Sequence, residues 1–271
     1  MFIPRLISSI IVLPAVIILT WLGGIYFVLL IAITTGIASY EISKMLHERK
    51  LISYPIISGI LAFTYIILAH VLSGKMPIPI WIPFTFLFLG TISILYLTSA
   101  NSSYKSYIQH PLSLITSSFF TAGFLGHAIF IRNGLNGLDW IILLIVIISL
   151  NDSGAFIFGK LIGNRPFFPS ISPNKTFEGS ISGIVLGTLG ALIYKALTDM
   201  VEISFIHILI LAIILTISGQ IGDLFESGMK RMSKIKDSGN VIPGHGGVMD
   251  RLDSIVFTVA VLYHFIKWTV I

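Results

Sequence analysis

The sequence has no cysteine, which excludes disulfide frameworks, thiolate metal sites and cysteine nucleophiles together. It is also poor in charge: Asp, Glu, Lys and Arg make up 11% of its 271 residues, against roughly 25% in an ordinary soluble domain. Seventeen cations and twelve anions cannot coat a water-facing globule of this length, and 55% of the residues are apolar, so the solvent must be mostly lipid. The histidines at 47, 70, 110, 127, 207, 245 and 264 include no pair four apart, which removes a two-histidine helical metal site. No G-x-x-x-x-G-K-[ST] loop is present, which argues against a P-loop NTPase, and no Ser or Cys triad is apparent. The net charge of +5 suits anionic partners or an anionic membrane surface and gives no reason to expect nucleic acid.

What the sequence does have is long apolar runs. A bilayer core of about 30 Å needs about 20 mostly apolar residues per helix. Nine charge-poor runs meet that need, at about 6–22, 25–40, 55–72, 80–97, 112–131, 140–158, 180–197, 203–221 and 254–271. The predicted fold is an all-α, polytopic membrane bundle of about nine transmembrane helices. Only Gly23 and Gly24 separate the first two runs, so these form a tight hairpin or one long broken helix. The first run lacks a small-residue cleavage pattern and reads as a retained helix, not a signal peptide.

With nine spans, thirteen cations fall on the side of the N-terminus: Arg5, Lys44, Arg49, Lys50, Lys105, Lys160, Arg165, Lys175, Lys230, Arg231, Lys234, Lys236 and Arg251. Lys75, Arg132, Lys195 and Lys267 fall on the other. This bias puts the N-terminus and the polar connections 159–179 and 222–253 in the cytoplasm of a multi-pass inner-membrane protein, with the C-terminus outside. Residues 1–150 read as scaffold, with Glu41 and Glu48 at a charged helix end. Residues 151–271 hold most of the acidic residues and both polar segments, and read as the catalytic part.

Asp152 closes an apolar run, and an ionised acid in lipid costs at least ~2.5 kcal/mol unless it faces protein, a cation or water. Hydrogen bonding within the bundle would satisfy it equally. The stretch 159–180 is too rich in Pro and Gly for a helix and reads as a loop of fixed shape, with Asn174, Lys175 and Glu178 in it. Gly179, Gly183 and Gly187 recur every four residues and let another helix pack closely. If the helix after residue 203 continues past 221, Gln220, Asp223, Glu226 or Ser227, and Lys230 share one face. An ion-paired helix end would look the same. The stretch from Lys230 to Ser254 packs Lys230, Arg231, Lys234, Lys236, Asp237, a turn of Pro243, Gly244, His245, Gly246 and Gly247, and then Asp250, Arg251 and Asp253 into one segment. Glycines there let backbone N–H groups approach an anion, though Asp250 and Asp253 could serve as helix caps. Carboxylates among many cations at a membrane surface fit a divalent metal holding a polyphosphate, since Mg²⁺ takes one or two carboxylates and completes its shell with phosphate oxygens and water.

Ser227, Lys230, Arg231, Lys236, Asp237, Pro243, Gly244, His245, Gly246, Gly247, Asp250, Arg251, Leu252 and Asp253, at their spacings, closely resemble the motif of the phosphatidate cytidylyltransferases, or CDP-diacylglycerol synthases. Asn151 and Asp152, through Ser172, Pro173, Asn174, Lys175, Thr176, Glu178 and Gly179, resemble that family's other polar segment. The resemblance implies a membrane enzyme that condenses CTP with phosphatidic acid to give CDP-diacylglycerol and pyrophosphate. It implies a requirement for Mg²⁺, allows a monovalent ion such as K⁺ beside it, and points to a homodimer. Carried onto this sequence, it makes Asp223 and Asp250 metal ligands, with Asp152, Glu178 and Glu226 in or near that shell. Lys175, Lys230, Arg231, Lys236 and Arg251 would neutralise phosphates, with Asn174, Ser227, Gly246 and Gly247 at the substrate and His245 against the phosphates. Asp237 and Asp253 would orient the cations. Two other readings stand beside this one: a CTP-dependent polyprenol or lipid kinase, and an ion-coupled anion transporter.

Overall fold

A computed structural model describes residues 2–48, 53–72, 116–198, 203–244 and 246–270. Its helices are α1 (Phe2–Leu22), α2 (Gly24–Glu48), α3 (Pro55–Leu72), α4 (His127–Asn133), α5 (Gly137–Ile162), α6 (Phe177–Leu197), α7 (Phe205–Met232) and α8 (Met249–Thr269). Residues 116–125 are also helical and lead into α4 through a turn at Gly126. Two short strands, β1 (Pro166–Phe168) and β2 (Ser172–Thr176), pair antiparallel between α5 and α6. Among the described residues five helices are long and apolar enough to cross a membrane, within α2, α5, α6, α7 and α8, and Ile10–Leu22 and Pro55–Val71 are shorter apolar helices. This is an all-α membrane bundle. The expected run at 80–97 lies outside the described residues, as does the start of that at 112–131, so the expected count of nine is not reproduced here.

Several helices outrun their apolar runs. α5 continues to Ile162, α7 to Met232, and α8 starts at Met249, five residues before the apolar run that marks it. The apolar run reports which residues meet lipid, whereas the helix ends where its backbone hydrogen bonds are capped or redirected. The expected loop at 159–180 is correspondingly a helix end, a hairpin and a helix start. At the first junction, Gly23 and Gly24 take φ of 67° and 50°, a left-handed conformation that glycine adopts without penalty, and the helix breaks there.

The chain forms two compact units. The first comprises 1–130 and 232–251. In it α2 and α3 cross closely at Gly36 and Gly59, where a Cβ on Gly59 would lie 2.9 Å from the Gly36 carbonyl oxygen. Beside this contact the Ser58 hydroxyl meets those of Ser39 and Ser117, each at 2.6 Å, and Ser118 donates to the Ser58 carbonyl. Small residues and shared hydroxyls hold helices together where lipid gives no hydrophobic drive. Val28, Ala32, Ala62, Ile66, Ala122 and Ile129 fill the adjoining core.

The second unit comprises 131–231 and 252–271. Its α5 and α6 meet along the expected glycine face: a Cβ at Gly179 would lie 2.7 Å from the Ala155 carbonyl oxygen, and one at Gly187 would lie 2.9 Å from that of Ile147. The hairpin that precedes α6 is closed by Phe177 N–H donating to the Arg165 carbonyl at 2.9 Å. Thr176 then caps α6, its hydroxyl accepting the Gly179 N–H at 3.2 Å. Thr176→Ala is expected to lower stability in detergent by about 1 kcal/mol, as loss of a threonine cap does elsewhere. An unchanged melting curve would show that the hydroxyl does not cap.

Candidate functional site

In the second unit a cavity of about 620 Å³ opens where α5, the hairpin, α6 and α7 meet. Its wall is mixed. Asp152, Lys160, Asn174, Lys175 and Asp223 bring polar groups, and Ala155, Phe156, Phe167 and Leu224 bring apolar ones. Phe156 is 73% exposed, so one side of the cavity presents an aromatic face to its surroundings.

Each polar group is held by a different element. Asp152 sits in α5 one residue after Asn151, which is completely buried. The Asn151 amide is fixed in orientation, because its oxygen accepts from Gln220 Nε2 at 2.9 Å and its nitrogen donates to Asp152 at 3.0 Å. Gln220 is in turn fixed by donating to the Ser180 carbonyl at 3.0 Å while the Ser180 hydroxyl donates to its oxygen. From β2, Lys175 reaches Asp223 of α7, with Nζ 2.5 Å from Oδ2. The Ser227 hydroxyl, one turn further along α7, lies 3.4 Å from the other oxygen of Asp223. Asp253 of α8 senses Asp223 and Asp152 as like charges and Lys230 as a counter-charge. Ser254 bonds the Asp152 carboxylate through its hydroxyl and Asp253 through its N–H, the latter at 2.7 Å. Three carboxylates from α5, α7 and α8 are thus gathered within electrostatic reach of one another, with Lys175 and Lys230 beside them.

Two further acids of this unit have partners of their own. Glu178 accepts the N–H groups of Asn164 and Arg165 at 3.1 and 3.2 Å and so ties α6 to the chain entering the hairpin. Glu226, with no exposed side-chain surface, forms an ion pair with Lys230; the pairing that the sequence left open is present, but it is buried and not at a solvated helix end. Arg231 donates to the Ile171 carbonyl at 3.1 Å and so anchors the hairpin turn to α7.

The glycine segment belongs to the first unit. Asp250, in the first turn of α8, accepts the Gly247 N–H at 2.8 Å and the Ser238 N–H at 3.0 Å through one oxygen. Both donors precede the helix, so Asp250 ties the segment before α8 to its first turn. Gly244 and Gly246 take φ of 76° and 84°, and Ile242 bonds back to Gly246, closing the turn. Lys236, Asp237 and Arg251 are exposed, Gly246 is half-buried and Gly247 is buried. His245 lies outside the described residues. The sequence reading missed Glu41. Buried in α2, it accepts hydrogen bonds from Val248, Met249 and Ser238 of this segment.

Among the described residues no three His, Asp or Glu side chains are arranged as a ready metal cage. The donor set of the second unit still fits a hard divalent cation. Asp152, Asp223 and Asp253 offer only oxygen, and Mg²⁺ needs one or two protein carboxylates when phosphates complete its shell. Lys175 lies beside this set as the ion-pair partner of Asp223.

The chain matches the Cytidylyltransferase family over residues 3–269. It is 34% identical over 268 residues to the phosphatidate cytidylyltransferase of Bacillus subtilis (strain 168), covering 96% of this chain and 95% of that one. It is 32% identical over 261 residues to the phosphatidate cytidylyltransferase of Staphylococcus haemolyticus (strain JCSC1435), covering 95% and 96%. For the protein of that name from Staphylococcus aureus (strain COL), identity is 31% over 258 residues, again covering 95% and 96%.

Proposed function

This chain belongs to the cytidylyltransferase family, and from that premise we infer that it is a multi-pass membrane nucleotidyltransferase that condenses CTP with phosphatidic acid to give CDP-diacylglycerol and pyrophosphate. The observation that carries the site assignment is the Lys175–Asp223 pair in a cavity walled by charged and by apolar side chains. A polar headgroup reaction on a lipid needs both kinds of wall.

The phosphate of phosphatidic acid is already an ionised oxygen nucleophile near neutral pH, a phosphate monoester having its second pKa at about 6. No protein base is needed to make it one. One of its oxygens attacks the α-phosphorus of CTP in line, the bond to the β-phosphate oxygen breaks, and pyrophosphate leaves. The protein's work is to align two anions and neutralise them. Lys175 and Lys230 do this beside the carboxylates of the second unit. Lys236, Arg231 and Arg251 carry further positive charge for phosphates, and Asn174, Ser227, His245 and the Gly246 backbone offer hydrogen bonds to them, in a segment whose Gly247, Val248 and Met249 N–H groups are held by Asp250 and Glu41. Asp152, Asp223 and Asp253 would hold Mg²⁺, and Asp250 is the motif's further candidate ligand. When bound, the ion supplies charge neutralisation at the triphosphate. Glu178 and Glu226 position the hairpin and Lys230, and Asp237 accompanies Lys236. A K⁺ ion beside Mg²⁺ and a homodimer are part of the same proposal and rest on the family resemblance. The excess of cations on one side supports an inner-membrane orientation with the N-terminus and the reaction at the cytoplasmic face, where CTP is found.

The test is an assay with labelled CTP and phosphatidic acid in detergent. CDP-lipid and pyrophosphate are expected, and chelation of divalent ions should reduce their formation to background. Phosphorylated lipid with CDP would make the protein a lipid kinase instead. Anion uptake into proteoliposomes without CTP turnover would make it a transporter.

A further inference from the structure

We propose that Glu41 is a positioning residue for this reaction, acting through the glycine segment 238–249 that it grips from α2. The proposal rests on the phosphate-binding role given to that segment above.

Glu41 is 1% exposed, in a helix long and apolar enough to cross a membrane. A buried acid there needs partners, and among the described residues Glu41 finds its hydrogen-bond donors in the glycine segment. Oε1 accepts the Val248 N–H at 3.0 Å. Oε2 accepts the Met249 N–H at 2.8 Å and the Ser238 hydroxyl at 3.1 Å. These donors stand at the two ends of the segment, so one side chain pins both ends and leaves the turn between them as a loop of fixed span. The segment's glycines fit the same contact. A Cβ at Gly247 would lie 2.6 Å from Oε2 of Glu41, and one at Gly239 would lie 2.9 Å from its carboxyl carbon. The backbone is pressed against the carboxylate, and only glycine permits the approach.

Glutamine cannot replace it. Two backbone N–H groups and a hydroxyl need two acceptor oxygens, and an amide offers one oxygen and an NH₂ that meets donors with donors. In Glu41→Gln the segment would therefore spend most of its time out of shape while the apolar packing of α2 persists.

A loosened loop and a damaged fold differ kinetically. When a binding-competent state is only partly populated, apparent affinity falls by that fraction and saturating substrate restores the state. Glu41→Gln is thus expected to raise KM for CTP roughly tenfold, the scale of losing one hydrogen bond to a charged group, with kcat at saturation changed less than about twofold. A general loss of folded enzyme would lower kcat and leave KM unchanged. Because the chain has no cysteine, Val248→Cys places a unique thiol at a buried position of the segment, and maleimide labelling reads loop opening without activity. Labelling should be several-fold faster in Glu41→Gln/Val248→Cys than in Val248→Cys. An unchanged KM overturns the proposal, and so does an unchanged labelling rate. If Glu41→Gln fails to accumulate in membranes, Ser238→Ala, which removes one of the three bonds, is expected to show the same two effects at smaller size. Should the unsubstituted chain make no CDP-lipid at all, the reading of function fails, while labelling still decides whether Glu41 holds the loop.

Discussion

Asp223→Asn is expected to lower kcat/KM by at least about a hundredfold while leaving folded protein in the membrane, the scale seen when one group that stabilises developing charge is removed from an active site. Two roles for Asp223 compete, and their magnitudes separate them. As one half of a partly exposed ion pair with Lys175, it would contribute no more than about 1 kcal/mol, and asparagine would change little beyond that. As a ligand or electrostatic partner for a cation on a triphosphate, its charge enters the barrier directly. The surroundings favour the second role: Asp223 stands near Asp152 and Asp253, so an acid has been placed where two others already repel it. Stability alone gives no reason for such crowding, and removing one charge should leave the melting temperature in detergent unchanged or slightly raised. Near-normal turnover in Asp223→Asn would reduce it to a surface ion pair.

How much of this was legible beforehand depended on whether the signal was local. The close face of α6 was written in Gly179, Gly183 and Gly187, because helix periodicity alone places them together. The stripe Gln220, Asp223, Ser227 and Lys230 was legible for the same reason, conditional on α7 continuing, which it does. Glu41 was missed because its partners lie 197 to 208 residues away and because the apolar run before it was taken to end the helix. The sequence carried one signal, an acid directly after the apolar run 25–40, which needs a partner if the helix continues, as α2 does to Glu48. The hairpin was obscured by its own Pro and Gly content, which marks a break in helix without saying what replaces it. Its first strand starts at Pro166, a position where proline is tolerated, and Glu178 holds the incoming backbone from the far side of the turn. The orientation of Asn151 was beyond any local reading, since Ser180 and Gln220 set it from two other helices.

That amide links packing to chemistry, and Gly183 tests the link. A Cβ on Gly183 would lie 2.7 Å from the Asn151 carbonyl oxygen, 2.9 Å from its side-chain oxygen and 3.2 Å from the Ala155 Cβ. A helix carbonyl cannot rotate away, so Gly183→Ala must push α5 and α6 apart or twist the Asn151 amide. Either movement strains the bond from Gln220 and the bond to Asp152 together. Overpacking of this kind costs about 1 to 3 kcal/mol, and the displaced carboxylate should lower kcat/KM about tenfold or more. Gly228 supplies the control, because a Cβ there meets only the Ile171 Cγ2 at 4.0 Å. Gly228→Ala exchanges a poor helix former for the best one and should match or exceed the parent in stability by about 0.5 to 1 kcal/mol. Thermal melts in detergent and initial rates on both variants decide the matter. If Gly183→Ala matches the parent in both, α5 and α6 have room to spare, and the alignment of Asp152 does not depend on their close approach.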